Sequence, residues 1–143
     1  MAEPLNAGAT LGPSRWLQVT QERIDAFAAA TEDAQWIHVN RRRAAEGPFG
    51  TTIAHGFLTL SLLPELWFEV FGDGGYRVTI NYGVNRVRFP APVPVDSRVR
   101  ATFRIVDVAA VDGGAQAVIA ATIERGGSEK PVCVAEVVFR FLH

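Results

Sequence analysis

The sequence predicts an α+β fold, because helical patterns occupy its first half and strand patterns its second half. In residues 19–31, "VTQERIDAFAAAT", the side chains of Ile24, Phe27 and Ala28 recur at the spacing of one helix face. Residues 52–71 are apolar on nearly every face, which is typical of a helix buried all round. The later part of the chain instead alternates with a period of two, as in "RVRATFRIVDV". We therefore expect an antiparallel sheet packed against one central helix.

Local signals predict where the helices begin and end. The hydroxyl of Thr20 can cap the first helix, and Glu22 suits the positive end of its dipole. The central helix is expected to begin near His55 or Gly56, after a loop marked by glycine and proline pairs. Pro64 lacks an N–H and clashes with the preceding turn, so we expect a kink or break there.

Three strands are predicted from alternating apolar residues, and "GGYRVTINYGVNRVRF" supplies one or two more. The segments "VDGGAQ" and "RGGSEKP" are turn signals between them. The residues expected to share buried faces are Val99, Ala101, Phe103 and Ile105; Ala117, Ile119, Ala121 and Ile123; and Cys133, Ala135, Val137, Phe139 and Phe141.

Bulk composition narrows the class of protein. A chain of 143 residues suits a single domain, here residues 1–143. The net charge of −1 gives no basic excess to bind phosphates, so we expect no nucleic-acid partner. The one cysteine, Cys133, excludes an internal disulfide and a zinc site built on several cysteines. Because it lies in an apolar strand pattern, an inert core thiol is expected.

The sequence favours a cytoplasmic protein with no membrane partner. The N-terminus shows no basic region followed by an apolar stretch, so no secretory signal is visible. Residues 52–71 have about the length of a membrane span, but they include His55, Pro64, Glu65 and Glu69. Charges at that density are costly in lipid, which favours a helix buried in protein.

The segment "TEDAQWIHVN" places a carboxylate, Asp33, five positions before an imidazole, His38. On a regular helix the two side chains would point about 140° apart, so they can converge only from a loop or a bend. A carboxylate beside an imidazole fixes the histidine tautomer and raises its basicity, as acid–base catalysis requires. The alternative is a turn-forming aspartate and a histidine satisfied by the backbone.

The segment "AHGF" places His55 and Gly56 at the expected start of the central helix. N–H groups in a first helical turn are unpaired, and a glycine there lets a ligand approach the backbone. Such an N–H can stabilise the oxyanion or enolate formed from a carbonyl. The alternative is a capping glycine beside a structural histidine.

Other chemistries are poorly represented in the sequence. A metal site could count Asp33, His38 and His55, but histidines at the usual close spacing are absent, so we expect no metal and no cofactor. Ser61 lacks the context of a serine nucleophile, and no phosphate loop occurs. The basic run at residues 41–43 is either a solvated face or a contact for the phosphates of a nucleotide-bearing substrate.

Together these residues resemble the MaoC-like dehydratases, the (R)-specific enoyl-CoA hydratases of the hotdog fold. The family pattern is Asp-x-Asn-Pro, an aliphatic residue and His, then A-H-G or V-H-G about seventeen residues later. Here residues 33–38 read "DAQWIH" and residues 54–56 read "AHG". Residues 80–101 look like the nodulation-protein-N-like branch. The resemblance extends from about Val19 to Leu142, and Gln35-Trp36 replaces the usual Asn-Pro.

The resemblance implies a sheet wrapped around the long helix, usually in a homodimer, and a tunnel for the acyl chain. It implies reversible addition of water to a trans-2-enoyl thioester of CoA or acyl carrier protein, giving the (R)-3-hydroxyacyl thioester. Asp33 and His38 match the catalytic pair, and Gly56 matches the residue whose N–H faces the thioester carbonyl. The other expected substrate-binding residues are His55, Gln35 and Asn85.

Two other functions stay open at this point. An acyl-CoA thioesterase of the same fold would use an acid on the long helix, where Glu65 and Glu69 are available. A non-catalytic module or subunit that binds acyl thioesters is the third reading, since Gln35-Trp36 departs from the family pattern. Fold alone does not decide among the three.

Overall fold

Helices occupy the first half of the chain and long strands the second half, in agreement with the change of apolar period. A computed structural model describes residues 4–143. Its helices are α1 (Gln21–Thr31), α2 (Trp36–Val39), α3 (Arg41–Ala45), α4 (Gly56–Ser61) and α5 (Leu63–Phe71). Its strands are β1 (Thr10–Leu11), β2 (Leu17–Gln18), β3 (Val78–Arg88), β4 (Arg98–Val111), β5 (Gly114–Arg125) and β6 (Cys133–Leu142).

The strands form one antiparallel sheet in the order β1-β4-β5-β6-β3, with β2 also paired to β4. The first turn signal joins β4 to β5, since Val111 pairs with Gly114 across Asp112 and Gly113. The second signal lies in the connection from β5 to β6. The segment expected to hold one or two strands forms a single one, β3, whose outer side has no neighbour within residues 4–143.

The core lies between the sheet and the α4–α5 pair, and the expected faces of β4, β5 and β6 are buried in it. Trp67 of α5 is fully buried at its centre. Its ring stacks on Phe71 at a centroid distance of 4.7 Å and meets Phe103 edge-on at 5.3 Å. Phe139 and Phe141 of β6 lie 6.0 and 6.2 Å away. Aromatic packing therefore joins the central helix to the sheet.

The central helix is interrupted, although not at the residue expected. α4 ends at Ser61, and α5 begins at Leu63, so the break falls at Leu62 and Pro64 lies in the first turn of α5. Proline is tolerated there because a first-turn N–H has no helical partner. Within the described residues no helix is long and apolar enough to cross a membrane.

The expectation of burial on every face of the central helix is wrong at two positions. The side chains of Phe57 and Phe68 are 66% and 40% exposed. The sheet covers only one side of the helix pair, so the opposite side faces outward. Apolar composition alone could not distinguish that side from the buried one.

Cys133 is buried in β6, as its strand pattern predicts. Burial raises the pKa of its thiol to about 11. Because the thiolate is the reactive form, this cysteine is an inert core residue.

Candidate active site

The site forms where the chain turns back after α1. Thr20 caps the start of α1 by accepting a hydrogen bond from the N–H of Arg23 at 3.1 Å, as expected. At the other end, Glu32 adopts a left-handed conformation with φ of 65°. This residue ends α1 and redirects the chain into the segment that carries Asp33.

A cleft of about 220 Å³ collects the side chains that the sequence singled out. Asp33 reaches it from the loop, His38 from the single turn of α2, and His55 from the start of α4. Its lining residues are Asp33, His38, His55, Gly56, Phe57 and Phe89. A carboxylate oxygen of the aspartate and one ring nitrogen of each histidine all lie within 4.8 Å of one another. The bend thus brings together a carboxylate and two imidazoles from three separate elements.

His38 is held in one tautomer by the backbone. Its Nδ1 lies 2.7 Å from the carbonyl oxygen of Ile53. A carbonyl oxygen only accepts, so Nδ1 carries the hydrogen and the neutral ring has its lone pair on Nε2. His38 therefore offers a basic nitrogen, and the backbone bond prevents the ring from turning.

The environment of His38 keeps its ring uncharged. The side chain is only 6% exposed, and burial lowers its pKa below 6.5. The hydrogen bond to Ile53 opposes that shift, His55 lowers the pKa further, and Asp33 raises it. Burial is the largest of these effects, because a charged imidazole loses its hydration. At neutral pH His38 is a neutral base.

His55 contacts both members of the pair. Its Nε2–H donates to the main-chain oxygen of Asp33 at 2.8 Å. Its ring stacks on that of His38, with centroids 3.8 Å apart and planes inclined by 22°. The side chain is 2% exposed, and in residues 4–143 its buried Nδ1 has no hydrogen-bond partner.

The stack of His38 on His55 bears on the prediction that the protein binds no metal. Sequence spacing suggested no close histidine pair, yet the fold places two rings in contact. The lone pairs that bind a metal lie in the ring planes, and these planes are nearly parallel. One ion therefore cannot lie in both planes at bonding distance unless a ring rotates. Asp33, His38 and His55 are the residues that could hold a metal.

Gly56 is the first residue of α4, so its N–H has no partner within that helix. An added Cβ would lie 2.9 Å from two ring carbons of Phe89. Gly56 and Phe89 also line an adjoining, mainly apolar cavity of about 290 Å³. The backbone at Gly56 therefore lies at the boundary between the polar cleft and an apolar space.

Two other expected substrate contacts lie outside the cleft. Gln35 is exposed at the start of α2 and contributes only its main-chain oxygen, which accepts from the N–H of His38 at 3.0 Å. Asn85 lies on β3, where its side-chain amide donates to Glu136 at 2.8 Å. The structure gives neither side chain a place beside Asp33 and His38.

Sequence reasoning missed two aromatic residues that line the cleft. Phe57 directly follows the "AHG" step, and its ring faces Phe89 at a centroid distance of 6.2 Å. Phe89 follows β3, far from the other residues in sequence, and no local pattern singled it out. Only the adjacency of Phe57 to Gly56 was a usable signal.

The basic run lies on α3, directly after the segment that carries His38. Arg41, Arg42 and Arg43 are exposed, and the guanidinium of Arg43 lies 4.4 Å from the ring centre of Trp36. Trp36 also packs against Gly47. The aromatic residue that replaces the family proline thus anchors α2 to α3.

The acids proposed for a thioesterase lie elsewhere. Glu69 of α5 accepts hydrogen bonds from the main-chain N–H and the guanidinium of Arg15, at 2.6 and 2.8 Å. Glu65 lies 3.9 Å from the same guanidinium. Neither glutamate lines the cleft.

An antiparallel sheet packed against a central helix, with an Asp/His cleft where that helix begins, defines a hotdog-fold protein. The chain belongs to the MaoC-like family: the model of the MaoC like domain matches residues 4–127. Both the fold class and the family resemblance predicted from the sequence are confirmed.

Named relatives agree with this assignment. The chain is 55% identical over 137 residues to the 3-hydroxyacyl-thioester dehydratase Z of Mycobacterium tuberculosis strain H37Rv, covering 95% of this chain and 91% of that protein. It is 53% identical over 104 residues to nodulation protein N of Rhizobium leguminosarum bv. viciae, covering 70% and 63%. The solved (R)-hydratase from A. caviae involved in PHA biosynthesis superposes with a TM-score of 0.77 at 25% identity, covering 96% and 98%.

Proposed function

We propose that this protein is a hydro-lyase that reversibly adds water to trans-2-enoyl thioesters, giving (R)-3-hydroxyacyl thioesters. The observation that carries the proposal is one cleft that holds the Asp33 carboxylate and the neutral Nε2 of His38, bounded by the backbone of Gly56. Identity of 55% to a protein named as a 3-hydroxyacyl-thioester dehydratase supports the same reaction.

In the proposed mechanism Asp33 and His38 hold one water molecule, which donates a hydrogen bond to each. As the water oxygen bonds to C3, Nε2 of His38 takes one of its protons. The electron pair of the C2–C3 double bond moves toward the thioester oxygen and forms an enolate. His38 then returns the proton to C2, so that one water is added in total.

The Gly56 N–H is the proposed donor to the thioester oxygen. Its position at the start of α4 leaves it free of helical hydrogen bonds. A fixed donor of this kind contributes about 3 kcal/mol to transition-state stabilisation. The phenyl ring of Phe89, which packs on Gly56, would have to move aside as the thioester binds.

Hydration of crotonyl-CoA, followed by the loss of enoyl absorbance, tests the proposal. A parallel assay for free thiol separates hydration from thioester cleavage. We expect absorbance loss without thiol release. Thiol release with unchanged enoyl absorbance would establish a thioesterase instead. Tight binding without turnover, across acyl chains of increasing length, would establish a binding module.

The pH dependence follows from the state of His38. The reaction requires its neutral form, and burial lowers its pKa below 6.5. The acid limb of kcat/KM, which reports the free enzyme, should therefore have its midpoint below pH 6.5. A pH series on crotonyl-CoA in buffers of constant ionic strength measures that midpoint. A limb centred above pH 6.5 would contradict the assignment of His38 as the base.

We further propose that the chain forms a homodimer through β3 and takes acyl thioesters of CoA or acyl carrier protein. β3 is an edge strand with four apolar side chains that are 40–56% exposed: Val78, Ile80, Tyr82 and Val84. An unpaired edge with apolar side chains readily pairs with a second copy. The cytoplasmic location and the choice of carrier stay predictions from the sequence.

A further inference from the structure

We infer that His55 is a positioning residue that fixes the Asp33 backbone with its Nε2–H and the His38 ring by stacking. The inference rests on the proposed function, because Asp33 and His38 are its catalytic pair. His55 itself is assigned no contact with substrate and no proton transfer.

The bond to Asp33 is a long-range tether on an otherwise lightly held loop. Asp33 is exposed and follows the left-handed Glu32, and its own N–H makes only a 3.3 Å bond to the hydroxyl of Thr31. The Nε2–H of His55 reaches its carbonyl oxygen at 2.8 Å from 22 residues away. Without that bond the Asp33 main chain would keep its local hydrogen bonds, such as that from the Ala34 N–H to the Glu32 carbonyl at 3.1 Å, but would lose its tie to α4.

The stack on His38 completes the arrangement. One imidazole lies against the other at 3.8 Å, while Phe27 of α1 lies 4.8 Å from the His55 ring. The main-chain oxygen of His55 accepts the N–H of Thr59 at 3.2 Å, which fixes the residue to the first turn of α4. Because His55 is fixed to α4, its contacts hold the Asp33 main chain and the His38 ring in place relative to that helix.

Packing alone does not explain a histidine at this position. Its Nδ1 is buried and, among the described residues, has no hydrogen-bond partner. A phenylalanine would supply a similar flat ring without leaving a polar atom unpaired, which is costly in a protein interior. The feature that the histidine provides and a phenylalanine lacks is the N–H directed at Asp33.

Two substitutions separate the two contacts. His55→Phe keeps a ring against His38 but loses the donor, whereas His55→Gln keeps an N–H donor and loses the ring. With crotonyl-CoA as substrate, we expect His55→Phe to lower kcat about 10²-fold, because small displacements of a catalytic group are costly, with KM within about twofold of wild type. We expect the kcat of His55→Gln to be at least about tenfold higher than that of His55→Phe.

Matched controls use His143, which stacks on Tyr76 at the other end of the chain. His143→Phe and His143→Gln should leave kcat unchanged. Thermal unfolding of all four variants shows whether any loss follows from reduced stability. Wild-type kcat in His55→Phe would overturn the inference. So would His55→Gln and His55→Phe variants that lose kcat equally, since a purely structural role predicts no rescue by the donor.

A readout without turnover keeps the test independent of the proposed function. In NMR spectra of the free protein, the backbone amide signals of Ala34, whose N–H follows the Asp33 carbonyl, should shift in His55→Phe and return toward wild type in His55→Gln. If wild type hydrates no enoyl thioester, the proposed function fails and this measurement alone decides the positioning contact. Unchanged amide signals of Ala34 in His55→Phe would overturn the inference that His55 positions the Asp33 main chain.

Discussion

Replacing His38 with alanine should lower kcat/KM for crotonyl-CoA hydration by about 10²–10⁴-fold, the usual contribution of a positioned acid–base group. Asp33→Asn should give a loss of similar size, since the amide loses negative charge and presents N–H donors in place of an acceptor. Initial rates of absorbance loss over a range of substrate concentrations measure both effects. The two side chains lie in one cleft and share one water in the proposed mechanism, so the losses should not add in the double variant.

Folding should be preserved in both variants. Asp33 is exposed, and the asparagine side chain has nearly its shape. His38 is buried, so His38→Ala leaves a small cavity and unpairs the carbonyl of Ile53, but the aromatic core around Trp67 lies elsewhere. Asp73→Asn and His143→Ala, outside the cleft, are the matched controls. Near wild-type turnover in either site variant would show that the pair is not the catalytic one.

Lysine at two positions of β3 should convert the proposed dimer into monomers. Ile80→Lys/Val84→Lys places charge on the exposed apolar part of the edge strand, where lysines block pairing with another chain. Sedimentation velocity at micromolar protein concentration gives the mass of each species. We expect a dimer for wild type and a monomer of 15.5 kDa for the double variant.

The control for this experiment lies on the same sheet. Val106 of β4 is 37% exposed, and the strands β5 and β6 separate β4 from β3 in the sheet. Val106→Lys should therefore stay dimeric. A monomeric wild type would refute the homodimer, and a dimeric double variant would move the interface away from β3.

The sequence predicted those features of the fold that depend on residues close together in the chain. The cap at Thr20, the buried faces of β4 to β6 and the turn after Val111 all follow from period, side-chain chemistry and turn residues. The helix break falls at Leu62, two residues before the predicted position at Pro64. Proline is compatible with the first turn of a helix, so the sequence could not show on which side of Pro64 the break would lie.

Long-range contacts were beyond such patterns. His38 and His55 are seventeen positions apart, and their stack depends on the left-handed turn at Glu32 and on the single turn of α2. Phe89 reaches the cleft from the end of β3, a placement that the sheet order decides. The family resemblance supplied the proposed catalytic pair, but it could not show that Gln35 is exposed and does not line the cleft.

The burial of His38 has an energetic consequence for the whole fold. Its folded-state pKa lies below the 6.5 of an unfolded chain, so between those two values the unfolded state binds a proton that the folded state does not. The free energy of unfolding therefore declines as pH falls through that window and is unaffected by this group above it. Keeping this imidazole free of its proton thus makes the native state less tolerant of acid, so the proposed role of His38 as a base and the acid resistance of the fold oppose each other.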